Sequence, residues 1–201
     1  MPTQPQDPRG LPRLLSQKAA ADGNPLAWFE QFYRLALSKG YPIPWADMKP
    51  NPNLVEMYDR IPLSLSSTDL LVVGCGFGDD AEWLARKGHK VSAFDISSSA
   101  ISECHKRFPD SPVHYLEANL FDPPPHWRNY FNVVVESYTV QVLEGSLRRK
   151  ALLGISELVA PEGLLILISR GRSDFESAGA LPWPLTRSEM KIKSLILLRT
   201  S

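Results

Sequence analysis

The stretch "LLVVGCGFGDDAEWLARKGHKVSAFDIS" (Leu70–Ser97) decides how this chain reads. An apolar run, Leu70–Val73, breaks at Gly74-Cys75-Gly76-Phe77-Gly78. A helix-like stretch then covers Asp80–Lys87 with Gly88 as its C-cap, and a second apolar run, Lys90–Phe94, ends at Asp95. Continuous apolar runs of this length fit strands buried on both faces, as in a parallel sheet. Glycines at the turn let the backbone bend tightly and let a ligand approach where a Cβ would obstruct it. Asp95 follows Gly74 by 21 residues, the place from which a carboxylate accepts hydrogen bonds from a ribose diol.

The spacing of the loop narrows the ligand. A dinucleotide site has the pattern G-x-G-x-x-G, with the pyrophosphate on the helix N-terminus. Here the pattern is G-x-G-x-G, and Asp79 stands where the third glycine of that fingerprint would be. Asp79 and Asp80 put two carboxylates where a pyrophosphate would sit, and like charges at close range oppose it. An adenosine cofactor with no phosphate and a cationic centre fits better, and S-adenosylmethionine is such a molecule. A nicotinamide-dependent oxidoreductase is the rival enzyme reading. Asp80 also reads as a helix cap.

The alternation continues outward. Strands are expected at Leu70–Val73, Lys90–Phe94, Val113–Glu117, Phe131–Glu136 and Leu164–Ser169. Helices are expected at Asp80–Lys87, Ser98–Arg107 and Ser146–Leu158, the last burying Leu147, Ala151, Leu152, Ile155 and Leu158. This pattern predicts an α/β, Rossmann-like, doubly wound and mostly parallel sheet with helices on both faces. Upstream, residues 1–23 lack clear periodicity and read as a flexible leader. Asn24-Pro25 reads as a helix start, and Leu26, Phe29, Tyr33 and Leu37 recur at helical spacing until Gly40. With a short helix near Asn53–Tyr58, residues 24–60 form a helical lid on an α/β core over 69–201. The two belong to a single domain covering 24–201.

Composition sets limits on function. The 201 residues are 43% hydrophobic and 22% charged, with 22 basic side chains against 22 acidic ones. A neutral chain without a basic block is a poor nucleic-acid binder, because that affinity comes largely from phosphate neutralisation. No apolar run approaches the roughly 20 residues needed to cross a bilayer, and "MPTQPQDPRGLPRLLSQ" lacks the apolar stretch of a signal peptide. Two cysteines, Cys75 and Cys104, are too few for a disulfide framework and suggest a reduced, cytoplasmic setting. The four histidines show no metal-ligand spacing. The expected partner is a small molecule, with no nucleic acid and no membrane, and the chain is expected to be a monomer or weak homo-oligomer.

From about Trp28 to Arg187 the chain resembles class I S-adenosylmethionine-dependent methyltransferases, most of all the thiopurine, thiol and halide S-methyltransferase branch. The resemblance is carried by "VVGCGFGDDAEWLARKGHKVSAFDIS", by "PIPWADMKPNPNL", "VVVESYTVQVL" and "LPWPLTRSEM". It implies that Gly74, Gly76 and Gly78 line the methionine part of the cofactor, with Cys75 and Asp79 also in the cofactor site. Asp95 would bind the ribose, Ile96 would pack on the adenine, and Asn119 and Leu120 would face the adenine edge. Glu136 would end the fourth strand under the sulfonium, or would only bond backbone amides at the strand end, and Trp45 would cover the cofactor. Trp28 and Tyr33 resemble lid positions but also read as core residues of their helix. Tyr138 and Trp183 would shape the acceptor pocket, or serve only as loop aromatics. Val72 stands where such enzymes often carry an acid.

The implied reaction is an in-line displacement in which alignment and exclusion of water supply much of the rate. A thiolate or halide acceptor needs no general base. An oxygen or nitrogen acceptor would need one, and Glu136 with Tyr138 are the nearby groups. Catalytic residues stay unassigned. Near the end, Thr186-Arg187-Ser188-Glu189 is a capping box that should open a helix. The remaining "MKIKSLILLRTS" can supply a helix or one strand, so the C-terminal strands read as incomplete and the fifth strand as a sheet edge. An inactive cofactor-binding protein of the same fold is therefore the other alternative.

Overall fold

The computed structural model describes residues 7–60 and 68–190 fully, and residues 195–200 by their backbone. Six strands form one sheet in the order β3-β2-β1-β4-β5-β6, and every neighbouring pair is parallel. They are β1 (Asp69–Val73), β2 (Lys90–Asp95), β3 (His114–Glu117), β4 (Phe131–Ser137), β5 (Val159–Arg170) and β6 (Leu195–Thr200). The helices are α1 (Gly10–Ala21), α2 (Ala27–Lys39), α3 (Pro52–Arg60), α4 (Asp79–Arg86), α5 (Ser98–Arg107) and α6 (Gly145–Leu158). All five expected strands and all three expected core helices are present, with ends shifted by a few residues. The α/β, Rossmann-like architecture is the one the apolar runs imply.

The strand pleat explains the two-sided core. Leu71, Val73, Val134, Leu165 and Leu167 face one cluster, which α6 closes with Ala151, Leu152, Ile155 and Leu158. Leu70, Val72, Val133, Val135, Ile166 and Ile168 face the other, closed by Ala81 and Leu84 of α4, Ile101 and Cys104 of α5, and Leu54 of α3. Alternation with a period of two sends successive residues to opposite faces, so a strand that is apolar throughout must be covered on both. The strand order reverses direction between β1 and β4, which places the switch-point crevice at their carboxyl ends.

Several local expectations change. Residues 10–21 form helix α1, not an irregular leader. Ala19 is buried, and Leu11 and Leu15 pack with Trp28, Phe32 and Leu181, so tertiary contacts stabilise a helix whose own periodicity is weak. Residues 1–6 lie outside the described residues. Helix α2 begins at Ala27 with Leu26 as its N-cap, and Asn24 contributes its carbonyl, which accepts the Ala27 N–H at 3.1 Å, with no side-chain cap. Gly40 ends α2 in the left-handed region at φ 67°. The capping box at Thr186 forms reciprocally, Thr186 N–H donating to Glu189 Oε2 at 2.8 Å and Glu189 N–H to Thr186 Oγ1 at 3.2 Å. Residues 187–190, where the helix is expected to open, form a turn, and the four residues after Met190 lie outside the described residues. The fifth strand is not the sheet edge: β6 runs parallel to it from Leu165↔Leu195 to Arg170↔Thr200.

Candidate functional site

A cavity of about 450 Å³ lies over the carboxyl ends of the strands, within the 300–1,000 Å³ range of small-molecule sites. Gly74, Cys75 and Gly76 after β1, Asp95 and Ile96 after β2, and Asn119 and Leu120 after β3 line one end. Tyr138, Thr139 and Gln141 after β4 and Arg170 at the end of β5 line the other, with Leu181 and Pro182 beyond. Helices α1 and α2 and the 44–52 segment cover it through Arg9, Trp28, Tyr33, Trp45 and Asn51.

The glycine loop is shaped by what stands behind it. Gly74 has φ 62°, and a Cβ there would come within 2.2 Å of Thr139 Oγ1. A side chain at this position meets both backbone strain and a direct clash, so glycine is required. The Cys75 N–H donates to the Phe94 carbonyl at 2.9 Å, which fastens the loop to β2. Gly76 N–H donates to Asp95 Oδ2 at 3.0 Å, and Ser97 N–H donates to Asp95 Oδ1 at 2.9 Å. Asp95 is 6% exposed. Burial is the largest influence on it and raises its pKa to about 6, while the Ser97, Gly76 and Ile96 amides pull the other way. A carboxylate has about four acceptor sites, so Asp95 keeps acceptor capacity on the cavity wall after these bonds.

The lid is aromatic and tied down by polar bonds. Trp45 Nε1–H donates to Tyr33 Oη at 2.8 Å, and the Trp45 ring packs 5.1 Å from that of Phe32 and 6.2 Å from that of Trp28. Glu30, on α2, accepts from Ser97 Oγ at 2.7 Å, Ser99 N–H at 3.1 Å and Ser99 Oγ at 2.7 Å. Its carboxylate therefore sits on the N-terminal turn of α5, where the exposed amides favour an anion, and it holds α2 over Asp95. On the other flank, Asn51 N–H donates to Asp80 Oδ1 at 2.7 Å. Burial raises the Asp80 pKa, against the Asn51 amide and the Ser137 hydroxyl, which lower it.

Of the residues expected at the site, Trp28, Trp45, Gly74, Cys75, Gly76, Asp79, Asp95, Ile96, Asn119, Leu120 and Tyr138 line this one cavity. Trp28 and Tyr33 combine both readings, being 1% and 3% exposed in the lid's core and still on the cavity wall. Three expectations need correction, because the cavity wall does not include Gly78, Glu136 or Trp183. Gly78 serves the turn: it caps α4 at φ 85° and stands against Tyr115, whose Oη would be 2.4 Å from an added Cβ. Glu136 shares its strand face with Val134. It is fully buried, one oxygen accepts Val140 N–H at 3.0 Å and also Thr139 N–H, and its role is to hold the chain after β4. Trp183 packs in the lid cluster, donates its N–H to the Gln141 carbonyl at 2.8 Å, and leaves the wall to Leu181 and Pro182.

Asp79 is also changed. Arg107 forks onto it at 2.7 and 2.8 Å, so its charge is already neutralised and the repulsion argument against a pyrophosphate rests on Asp80 alone. Residues the sequence reading passed over include Glu30, Asn51, Thr139, Arg9 and Arg170. Their contacts span up to 69 positions of chain, and no local pattern encodes them. Among the described residues no group of His, Cys, Asp and Glu side chains is placed to hold a metal ion, and no helix is long and apolar enough to cross a membrane.

Residues 70–163 match the model of the methyltransferase domain. Over 105 residues the chain is 30% identical to an uncharacterized methyltransferase of Mycobacterium tuberculosis, and equally to one of Mycobacterium bovis. The match covers 52% of this chain and 52% of the relative, so the chain spans about half the length of the curated relatives it matches. A structure described by "Conversion of a Disulfide Bond into a Thioacetal Group during Echinomycin Biosynthesis" is 26% identical with a TM-score of 0.59. It covers 68% of this chain and 56% of that one. Phosphoethanolamine N-methyltransferase 2 of Haemonchus contortus, in complex with phosphomonomethylethanolamine and S-adenosylhomocysteine, is 20% identical with a TM-score of 0.50. It covers 58% of this chain and 28% of that one. The sheet and its flanking helices have the Rossmann-like fold of class I S-adenosylmethionine-dependent methyltransferases.

Proposed function

We propose that this protein is an S-adenosylmethionine-dependent methyltransferase that acts on a small molecule, with a thiol or halide as the favoured acceptor type. The observation that carries the reading is Asp95: a buried carboxylate at the end of β2, fixed by the Gly76 and Ser97 amides, facing a cavity of suitable size beside Gly74 and Gly76. The chemistry of the donor set fits the cofactor. Asp95 has acceptor capacity for two ribose hydroxyls, and Ile96 and Leu120 are apolar walls for an adenine. At the mouth of the loop, Asp80 is an anion suited to an ammonium group and unsuited to a pyrophosphate.

When bound, S-adenosylmethionine supplies a methyl group activated by its sulfonium, which the acceptor takes while the electron pair of the broken C–S bond stays on sulfur. The protein's part is to orient and to dry the site. Trp28, Tyr33 and Trp45 cover the cavity and exclude water. Tyr138 and Thr139, which follow β4, line the acceptor end. Aligning two reactants in this way is worth roughly 7–11 kcal/mol of barrier. A soft nucleophile that enters as its anion needs no base, in keeping with the absence of Glu136 from the cavity wall. The relative linked to conversion of a disulfide into a thioacetal adds support for sulfur as the acceptor atom.

Titration calorimetry with S-adenosylmethionine and with NAD tests the cofactor, and tritiated-methyl transfer to a panel of thiols, halides and phenols tests the activity. Binding of the first ligand alone with label transferred to thiols or halides is expected. NAD binding would favour the oxidoreductase, and cofactor binding with no transfer would favour an inactive binding protein.

A further inference from the structure

We propose that the acceptor end of the cavity receives a small molecule carrying a carboxylate at the end opposite its methyl-accepting atom, with Arg9 and Arg170 as the carboxylate's receptors. This rests on the methyltransferase reading above and names its substrate class. The first observation is the contrast among the arginines gathered around α1, the end of β5 and the 181–189 segment. Arg13 donates to the Leu181 carbonyl at 2.8 Å and pairs with Asp7. Arg148 and Arg172 both pair with Glu189, at 2.8 and 3.3 Å. Arg9 and Arg170 line the cavity, and neither guanidinium has a hydrogen-bond or ion-pair partner among the described residues.

The second observation is the placement of the remaining charges on the same wall. Asp79 is neutralised by Arg107. Asp80 and Asp95 are engaged by backbone amides at the cofactor end. Asp47 and Lys49 stand two residues apart, both exposed, and contribute one charge of each sign. The two arginines are what is left: Arg170 ends β5, three strands from β2 and its Asp95, and Arg9 stands at the start of α1, whose Arg13 reaches Leu181. The Arg170 backbone is pinned there, its N–H donating to Gln141 Oε1 at 2.8 Å and its carbonyl accepting Leu185 N–H at 2.8 Å. Its side chain, exposed to solvent, thus starts from a fixed point at the cavity mouth. Guanidinium groups match carboxylates in geometry and lose less hydration than ammonium groups on pairing. Between these cations and the cofactor end, Pro12, Leu181, Pro182 and Tyr138 give apolar and aromatic surface beside the polar Thr139 and Gln141, which suits the body of an aromatic or aliphatic acid.

The test uses a matched pair of probes, 4-mercaptobenzoate and its neutral isostere 4-mercaptobenzamide. Both are titrated by calorimetry into the full chain saturated with S-adenosylhomocysteine. The benzoate is expected to bind about 10-fold tighter or better, as a charge-assisted bond contributes. Added salt should weaken the benzoate alone. Arg9→Gln and Arg170→Gln should each cut the preference several-fold, and the double variant should bring it close to one. Arg170→Lys, which keeps the charge, should restore part of it. Circular dichroism and S-adenosylhomocysteine affinity measured on each variant show that the fold and the cofactor end are intact. Equal affinity for the two probes, or an unchanged preference in the double variant, overturns the proposal. So does loss of S-adenosylhomocysteine affinity in the double variant, which would assign the arginines to the cofactor. Failure of the wild type to bind S-adenosylhomocysteine removes the methyltransferase reading, and the proposal with it.

Discussion

Replacing Glu136 by glutamine isolates the cost of a buried charge from every other titrating group in the chain. Glu136 has no solvent exposure, and its second carboxylate oxygen has no partner among the described residues. Burial raises its pKa from 4.5 to about 7, against the Val140 and Thr139 amides, which favour the ionised form. A carboxyl group whose folded-state pKa is raised gives stability that is fully present below the unfolded value. That stability drains away as pH rises toward the folded value, because the unfolded chain releases its proton first. The shift is about 2.5 units, and at about 1.4 kcal/mol per unit it corresponds to about 3 kcal/mol lost between pH 4.5 and pH 8. Glutamine keeps the amide acceptor for Val140 and Thr139 and does not titrate. Urea unfolding of both proteins without cofactor, at half-unit steps from pH 4.5 to 8.5, gives the difference directly, since all shared groups cancel. The difference should move by about 3 kcal/mol in favour of Glu136→Gln as pH rises, whatever offset the substitution adds. A difference that stays flat within about 0.5 kcal/mol would refute the buried-charge account.

Three further outcomes follow from the same geometry. Asp95→Asn should lower S-adenosylmethionine affinity by about 100-fold, the loss of two charge-assisted bonds. In the wild type, affinity measured by calorimetry should fall about tenfold per unit below the Asp95 value of about 6, because protonation removes an acceptor. Gly74→Ala should destabilise by at least about 2 kcal/mol in denaturant, from the left-handed backbone and the Thr139 clash, and Thr139→Ala should rescue part of the loss. Glu30→Ala removes three bonds between α2 and α5 and should cost about 1–3 kcal/mol. The Glu30 pKa is lowered by its Ser97 and Ser99 bonds, with burial acting against them, so that contribution should fade as pH falls below the ordinary carboxylate range.

The parts of this protein that were legible in the sequence are those written in local periodicity. The runs at Leu70–Val73 and Phe131–Glu136 could only be strands covered on both faces, and the glycine turn with Asp95 located the crevice. Helix α1 was hidden because "GLPRLLSQKAAA" is weakly patterned by itself and gains its stability from Trp28, Phe32 and Leu181. Glu136 was misplaced for a different reason. Its position at the end of β4 is correct, but its carboxyl is fully buried and is taken up by the Thr139 and Val140 amides. The pairing of Asp79 with Arg107 and of Glu30 with Ser97 and Ser99 joins residues 28 to 69 positions apart. Contacts of that kind appear only once the sheet order is known.

A crystal structure of the full chain with S-adenosylhomocysteine tests the central claim most directly. The account predicts the ribose hydroxyls on Asp95, the adenine between Ile96 and Leu120, and the sulfur beside Gly74 and Gly76 with Tyr138 and Arg170 beyond it. Density for the ligand away from Asp95, or none at saturating concentration, would contradict it.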